Sequence, residues 1–203
     1  TESKMAISIA KAGGLGIIHR NLEIKKQIIE IKKVKSKKLL IGAAVGAGAV
    51  EIKRAEALLK ENIDMIVVDT AHGHTKKVAE IIMKIKIKPK KTVLCAGNIA
   101  TAEAAKFLVS LGVDIIKVGI GPGSICTTRL VAGIGMPQLS AILTVRKGLG
   151  NKKTKIIADG GIKFSGDIPK ALAAGADAVM IGSLFAGTNE APGKILKRNG
   201  KYF

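Results

Sequence analysis

Seven short apolar runs recur along the chain, each ending in Gly, Asp, Asn, Ser or His, and they restrict its fold more than any other feature. They are Gly16 to His19, Leu39 to Gly46, Met65 to Asp69, Thr92 to Asn98, Ile115 to Gly121, Lys155 to Gly161 and Ala178 to Ser183. Their starts lie roughly 20 to 40 residues apart, the length of a strand and helix unit. The apolar positions are consecutive rather than alternating, as in parallel strands buried on both faces. Between the runs the spacing is helical: Ile24, Ile28, Ile31 and Val34 mark one face, and Ala55, Leu58 and Leu59 another. The chain is therefore expected to be α/β.

Glycine concentrates just past the carboxyl ends of these strands, which favours a (β/α)₈ TIM barrel over a doubly wound sheet. The count is one strand short. Thr1 to Ala12 reads as a helix with Thr1 or Ser3 as its cap and Gly13-Gly14 as its stop. After Ser183 no helix is long enough to cover an eighth strand. Residues 1–203 are thus expected to form one incomplete TIM barrel, with strands two to eight present and the first strand and last helix missing. Such a sheet leaves uncovered edges.

The chain has 203 residues, is 47% hydrophobic and carries a formal charge of +19. That apolar content supplies a sizeable core and excludes disorder. No apolar stretch approaches the ~18 residues of a membrane span, and the first 20 residues lack a signal-peptide layout. The charge would suggest nucleic acid, but only five of 34 basic residues are Arg, Trp is absent and Tyr202 is the sole Tyr. Base stacking and bidentate base reading have few candidates. The lysines fall in Lys25 to Lys38, Lys76 to Lys91 and Lys147 to Lys155, read as solvated helix exteriors and turns. Neither nucleic acid nor membrane is expected as a partner. Cys95 and Cys126 have no metal-ligand spacing, and a reducing, cytoplasmic setting follows.

Chemistry concentrates in Gly119 to Arg129, directly after the sixth strand of the expected barrel. Three glycines in five residues let backbone approach a ligand, with N–H groups or carbonyls turned inward, so the loop suits an anion or a cation. Cys126 stands where barrel enzymes present catalytic groups and reads as a thiol nucleophile, whereas Cys95, inside a strand, reads as a buried small hydrophobe. The turns Asp159-Gly160-Gly161 and Ile181-Gly182-Ser183 occupy the loops that commonly hold phosphate in this fold. Asp159 is suited to accept ribose hydroxyl protons; the alternative is a cap for the helix near Gly166-Asp167. Asp69, His72 and His74 are poorly spaced for a metal, and Asp69 is better read as a polar anchor for a second ligand. His19 reads as a satisfied structural histidine.

One motif is highly specific: Gly121-Pro122-Gly123-Ser124-Ile125-Cys126-Thr127-Thr128-Arg129, followed by Val131 to Gln138. Ala158 to Asp167 and Met180 to Ser183 support it independently. On these segments, and on Thr1 to Ala6, Gly13 to His19 and Ala186 to Thr188, the chain resembles the catalytic domain of the inosine-5′-monophosphate dehydrogenase family over nearly its whole length.

The resemblance implies oxidation of IMP to XMP with NAD, in guanine nucleotide biosynthesis. It implies that Cys126 adds to C2 of the purine, with Thr128 assisting nearby. Ser124, Gly160, Gly161, Gly182 and Ser183 would hold the substrate's phosphate end, and Asp159 its ribose. Asp69, Ala71, Asn98 and Lys117 match positions near the dinucleotide, Lys117 standing where some members carry arginine. The carbonyls of Gly121, Gly123 and Cys126 match a monovalent-cation loop, usually potassium. A homotetramer is implied as well.

The family normally inserts a pair of CBS modules after its second barrel helix, whereas here Lys32 to Lys38 runs straight to the next strand, so no CBS domain is expected. The family's flap, with the arginine and tyrosine of the hydrolytic step, is expected beyond Phe203. The 203-residue chain alone is therefore expected not to turn over. GMP reductase, which uses NADPH to convert GMP to IMP, is the nearest alternative. Val131-Ala132-Gly133, where reductases tend to carry lysines, and Ile18-His19-Arg20-Asn21 weigh against it. A non-catalytic nucleotide-binding fragment is a third reading.

Overall fold

A computed structural model describes residues 1–86 and 91–193, together with the backbone of 197–198 and 201–202. Seven parallel strands form one sheet in sequential order: β1 (Gly16–Ile18), β2 (Ile41–Val45), β3 (Met65–Asp69), β4 (Val93–Ile99), β5 (Ile115–Val118), β6 (Lys155–Asp159) and β7 (Ala178–Met180). The helices are α1 (Ser3–Lys11), α2 (Ile24–Lys35), α3 (Ala49–Leu59), α4 (Lys76–Lys86), α5 (Ala102–Ser110), α6 (Thr128–Val131), α7 (Gln138–Leu149) and α8 (Asp167–Ala173). A 3₁₀ turn, Ser183–Phe185, follows β7, and β8 (Lys197–Arg198) pairs antiparallel with β9 (Lys201–Tyr202). This is the incomplete (β/α)₈ barrel expected from the repeat, curled but with β1 and β7 unpaired to each other among the described residues.

The main core lies between the sheet and its helices. Ile18, Ile41, Ile66, Leu94, Ile116 and Ile156 from the strands meet Ile31, Leu58, Ile81, Leu108 and Ile142 from the helices, all essentially inaccessible. Each such side chain contributes about 1.5–3 kcal/mol on burial. Opposite them, the exposed lysines of α2 and α4 face solvent, as the helical spacing requires.

Three strands end two or three residues earlier than their apolar runs. β5, β6 and β7 stop at Val118, Asp159 and Met180. Beyond the first two of these the chain leaves the extended region, with Gly119 at φ +148° and Gly160 at φ +85°. The amino end of α1 also differs from expectation. Neither Thr1 nor Ser3 caps it; Glu2 holds the cap position without a side-chain bond, and the Ser3 N–H donates to Glu30 Oε2 at 2.8 Å. A carboxylate from α2 thus takes the place of a local hydroxyl. The stop is as read, with Gly13 at φ +88° and the Gly14 N–H on the Ile9 carbonyl.

A repeated aspartate fixes the amino ends of the strands. Asp64, Asp114 and Asp177 each precede a strand and accept the N–H of the first or second residue of the preceding one: Ile41 at 2.9 Å, Leu94 at 2.8 Å and Ile156 at 2.9 Å. Each satisfies a donor that the ladder leaves unpaired. On Asp177, burial would raise the carboxyl pKa, but the Ile156 N–H, Lys155 and Arg146 outweigh it and hold the pKa down.

Candidate active site

Strand alternation decides which residues meet inside the sheet. Met65, Val67 and Asp69 share one face of β3, Ile115 and Lys117 one face of β5, and Ile157 and Asp159 one face of β6. Their lower members, with Cys95, form a small interior apolar cluster. Their upper members are polar. Asp69 is in register with Gly97 and Gly97 with Lys117, so three strands deliver these residues at one level. Asp159 lies two residues above Ile157, the register partner of Lys117. Gly97 is needed for this approach, since a Cβ there would fall 2.4 Å from the Lys117 carbonyl oxygen.

Lys117 is 3% exposed. Its Nζ donates to Asp69 Oδ1 at 2.8 Å, to Asp159 Oδ2 at 2.5 Å and to Asn98 Oδ1. Asn98 Nδ2 in turn donates to Asp159 Oδ2 at 2.9 Å and to the Gly119 carbonyl at 2.8 Å. Burial would lower the Lys117 pKa, but the facing carboxylates outweigh it and raise the pKa above the ordinary lysine value. Cys95 lies beneath this cluster, and burial pushes its thiol up to about 12. It is the inert small hydrophobe expected of it.

The cysteine loop begins at Gly119, where a Cβ would lie 2.2 Å from the Asp159 carbonyl oxygen. Gln138, at the head of α7, fastens the two strand ends by donating Nε2 to the Val118 carbonyl at 2.9 Å and the Asp159 carbonyl at 3.3 Å. Sequence reasoning missed this role; the only local signal is its place directly after Pro137 at a helix start. The loop then packs on the next turn, with Pro122 and Gly123 against Gly160 and Pro122 also against Gly161.

Cys126 Sγ lies 3.2 Å from Thr128 Oγ1. Hydrogen bonding from the Thr128 side chain and backbone, with a contribution from Arg129, lowers the thiol pKa. That favours the thiolate, the nucleophilic form. Arg129 also braces the loop through the Ile120 and Met136 carbonyls.

The expected site residues fall into two groups. Asp69, Asn98, Lys117 and Asp159 are joined in one hydrogen-bonded cluster. Gly121, Gly123, Cys126 and Thr128 form the adjoining loop, against Gly160 and Gly161. Ser124, Gly182, Ser183 and Ala71 are exposed, and no hydrogen bond joins Ser124 to Gly182 or Ser183 among the described residues. The alternative role of Asp159 as a cap for α8 is not seen: Gly166 holds the cap position without a side-chain bond, and Asp167 accepts the Lys163 and Phe164 N–H groups of the preceding turn. His72 and His74 serve their own turn, the His74 N–H donating to His72 Nδ1 while the His74 ring packs on Phe107. His19 faces Glu2 through Nε2, but its buried Nδ1 has no partner among the described residues. Beside Asp159 the interior opens between β1 and β7 as a largely apolar cavity of about 1010 Å³, lined by Leu15, Ile17, Met65, Ile157 and Val179 among others.

Residues 1–203 match the family described as IMP dehydrogenase / GMP reductase domain. An inosine-5′-monophosphate dehydrogenase of Borreliella burgdorferi is 46% identical over 253 aligned positions, covering 100% of this chain and 63% of that protein. One from Chlorobaculum parvum is 51% identical over 187 residues, 92% of this chain and 38% of its own length. One from Aquifex aeolicus is 54% identical over 166 residues, 82% of this chain and 34% of its own. The chain therefore spans less than two-thirds of the length of these relatives. Because the match runs from the first residue to the last, the chain belongs to the IMP dehydrogenase / GMP reductase family.

Proposed function

We propose that the protein oxidises IMP to XMP with reduction of NAD, as part of guanine nucleotide synthesis. The observation that carries this reading is the Cys126 thiol, its pKa lowered by Thr128, in a glycine loop packed against the Asp159–Gly161 turn.

In this reading the Cys126 thiolate forms a C–S bond to C2 of the purine, and the hydrogen on C2 leaves with its electron pair. NAD, when bound, supplies the acceptor for that hydride. Water then adds at C2, the C–S bond breaks, and the thiolate is restored as XMP and a proton are released. By resemblance, the arginine and tyrosine that activate the water belong to the flap. Asp159 accepts ribose hydroxyls through Oδ1, which has no partner among the described residues. Ser124, Gly160, Gly161, Gly182 and Ser183 receive the phosphate end.

The residues present fit both implied groups. The Asp69 side chain is 43% exposed and keeps Oδ2 without a partner among the described residues, so it and Ala71 suit direct contact with the dinucleotide. Asn98 and Lys117 have their polar groups committed within the chain and act from behind. The carbonyls of Gly121, Gly123 and Cys126 are neutral oxygen donors of the kind potassium prefers. The Gly123 carbonyl already accepts the Cys126 N–H at 3.1 Å and retains a second lone pair. The strongly exposed Leu130 and Val131 support burial against other copies in a homotetramer, and two free cysteines suit a cytoplasmic setting. Residues 1–203 form part of one TIM-barrel catalytic domain, with no CBS module among them, and do not turn over by themselves.

The test is to supply the full-length protein with IMP and NAD, and separately with GMP and NADPH. Reduced nicotinamide should accumulate in the first mixture. Its consumption in the second would instead assign a reductase, and IMP binding without either reaction would leave a nucleotide-binding protein.

A further inference from the structure

Lys117 has three N–H donors, and all three are used on oxygens from three different strands. It has none left for a ligand. Two carboxylates facing one ammonium leave one net negative charge at the strand ends. Each carboxylate gives Lys117 a single oxygen and keeps the other without a partner among the described residues, Asp69 Oδ2 on one side and Asp159 Oδ1 on the other. The two free oxygens belong to residues that the proposed function assigns to different ligands.

We infer that Lys117 is a positioning residue that joins Asp159 and Asp69 into one unit, so that IMP bound at Asp159 tightens dinucleotide binding at Asp69. The inference rests on the proposed function. A ribose on Asp159 orders its carboxylate, and through the shared ammonium it also orders Asp69. The second ligand then loses less conformational entropy on binding. Reciprocity requires NAD to tighten IMP by the same factor.

The experiment uses the full-length protein carrying Cys126→Ser, which blocks the chemical step and leaves a stable ternary complex. Calorimetric titration measures NAD affinity with and without saturating IMP. With Lys117 present, IMP is expected to tighten NAD by about 5- to 150-fold. In Lys117→Met that factor should fall towards one. Lys117→Arg, which restores charge and donors, should recover at least part of it. A lysine with a merely structural role would weaken both ligands and lower the melting temperature while leaving the factor unchanged, and that result overturns the inference. If Lys117→Met does not fold, Asp69→Ala removes one arm of the unit, and an unchanged factor there overturns it equally. Failure of IMP to bind with Lys117 intact would overturn the proposed function itself.

Discussion

The two ends of the sheet are built from opposite materials. At the amino ends, Asp64, Asp114 and Asp177 tie β3, β5 and β7 to the strand before each through backbone N–H groups. At the carboxyl ends the chain leaves the strands at Gly119 and Gly160, and the polar side chains of β3 to β6 converge on Lys117. The first arrangement consumes polar groups to hold backbone. The second leaves a thiol and two carboxylate oxygens available. Backbone ties and available polar groups therefore sit at opposite ends, an arrangement that barrel architecture allows.

The largest expected effect tests that division directly. Cys126→Ser in the full-length protein should lower steady turnover of IMP by about a thousandfold or more, while the thermal melt stays near that of the parent. A serine variant as fast as the parent would remove the carboxyl end's claim to the chemistry. Gly119→Ala crosses the division, because its Cβ would collide with the Asp159 carbonyl at a positive φ. It should cost about 3 kcal/mol in denaturant unfolding and weaken IMP binding as well. Retained stability would show that the loop relaxes freely.

Asp114→Ala isolates the amino end. Losing the bond to the Leu94 N–H should cost about 1–2 kcal/mol, with activity per folded molecule unchanged; a fall in turnover without a fall in stability would break the contrast. The smallest effect concerns the two thiols. Because Thr128 lowers the Cys126 pKa, its alkylation should rise with pH at lower values than for an ordinary thiol, and Thr128→Val should move that rise upward. Cys95, pushed up to about 12 and buried, should stay unmodified in the folded protein. Mass spectrometry of partly alkylated protein reads both sites, and equal labelling of the two would contradict their placement.

Much of this was legible in the sequence. The seven apolar runs mark seven strands, and the ends of the runs mark where the strands end to within three residues. The runs overshoot at β5 and β6 because Gly119 and Gly160 continue the apolar pattern while their φ angles break the strand. Cys126 could be singled out from its loop, and Asp159 from its turn. The aspartate ties could have been found from the recurrence of Asp64, Asp114 and Asp177 directly before strands, but their partners could not. Gln138 offered no comparable signal, since its bonds run to carbonyls 20 and 21 positions away.

The sequence by itself determined the alternation of strand and helix, the parallel sheet and the position of the cysteine loop, because these follow from local periodicity and from glycine. Only the tertiary structure decided that Lys117 would be buried and shared. Asp69 and Asp159 lie 48 and 42 positions from it, and they meet only because the register of four strands brings their inward faces to adjoining levels. Register is a property of the assembled sheet, so no single stretch of chain encodes that contact.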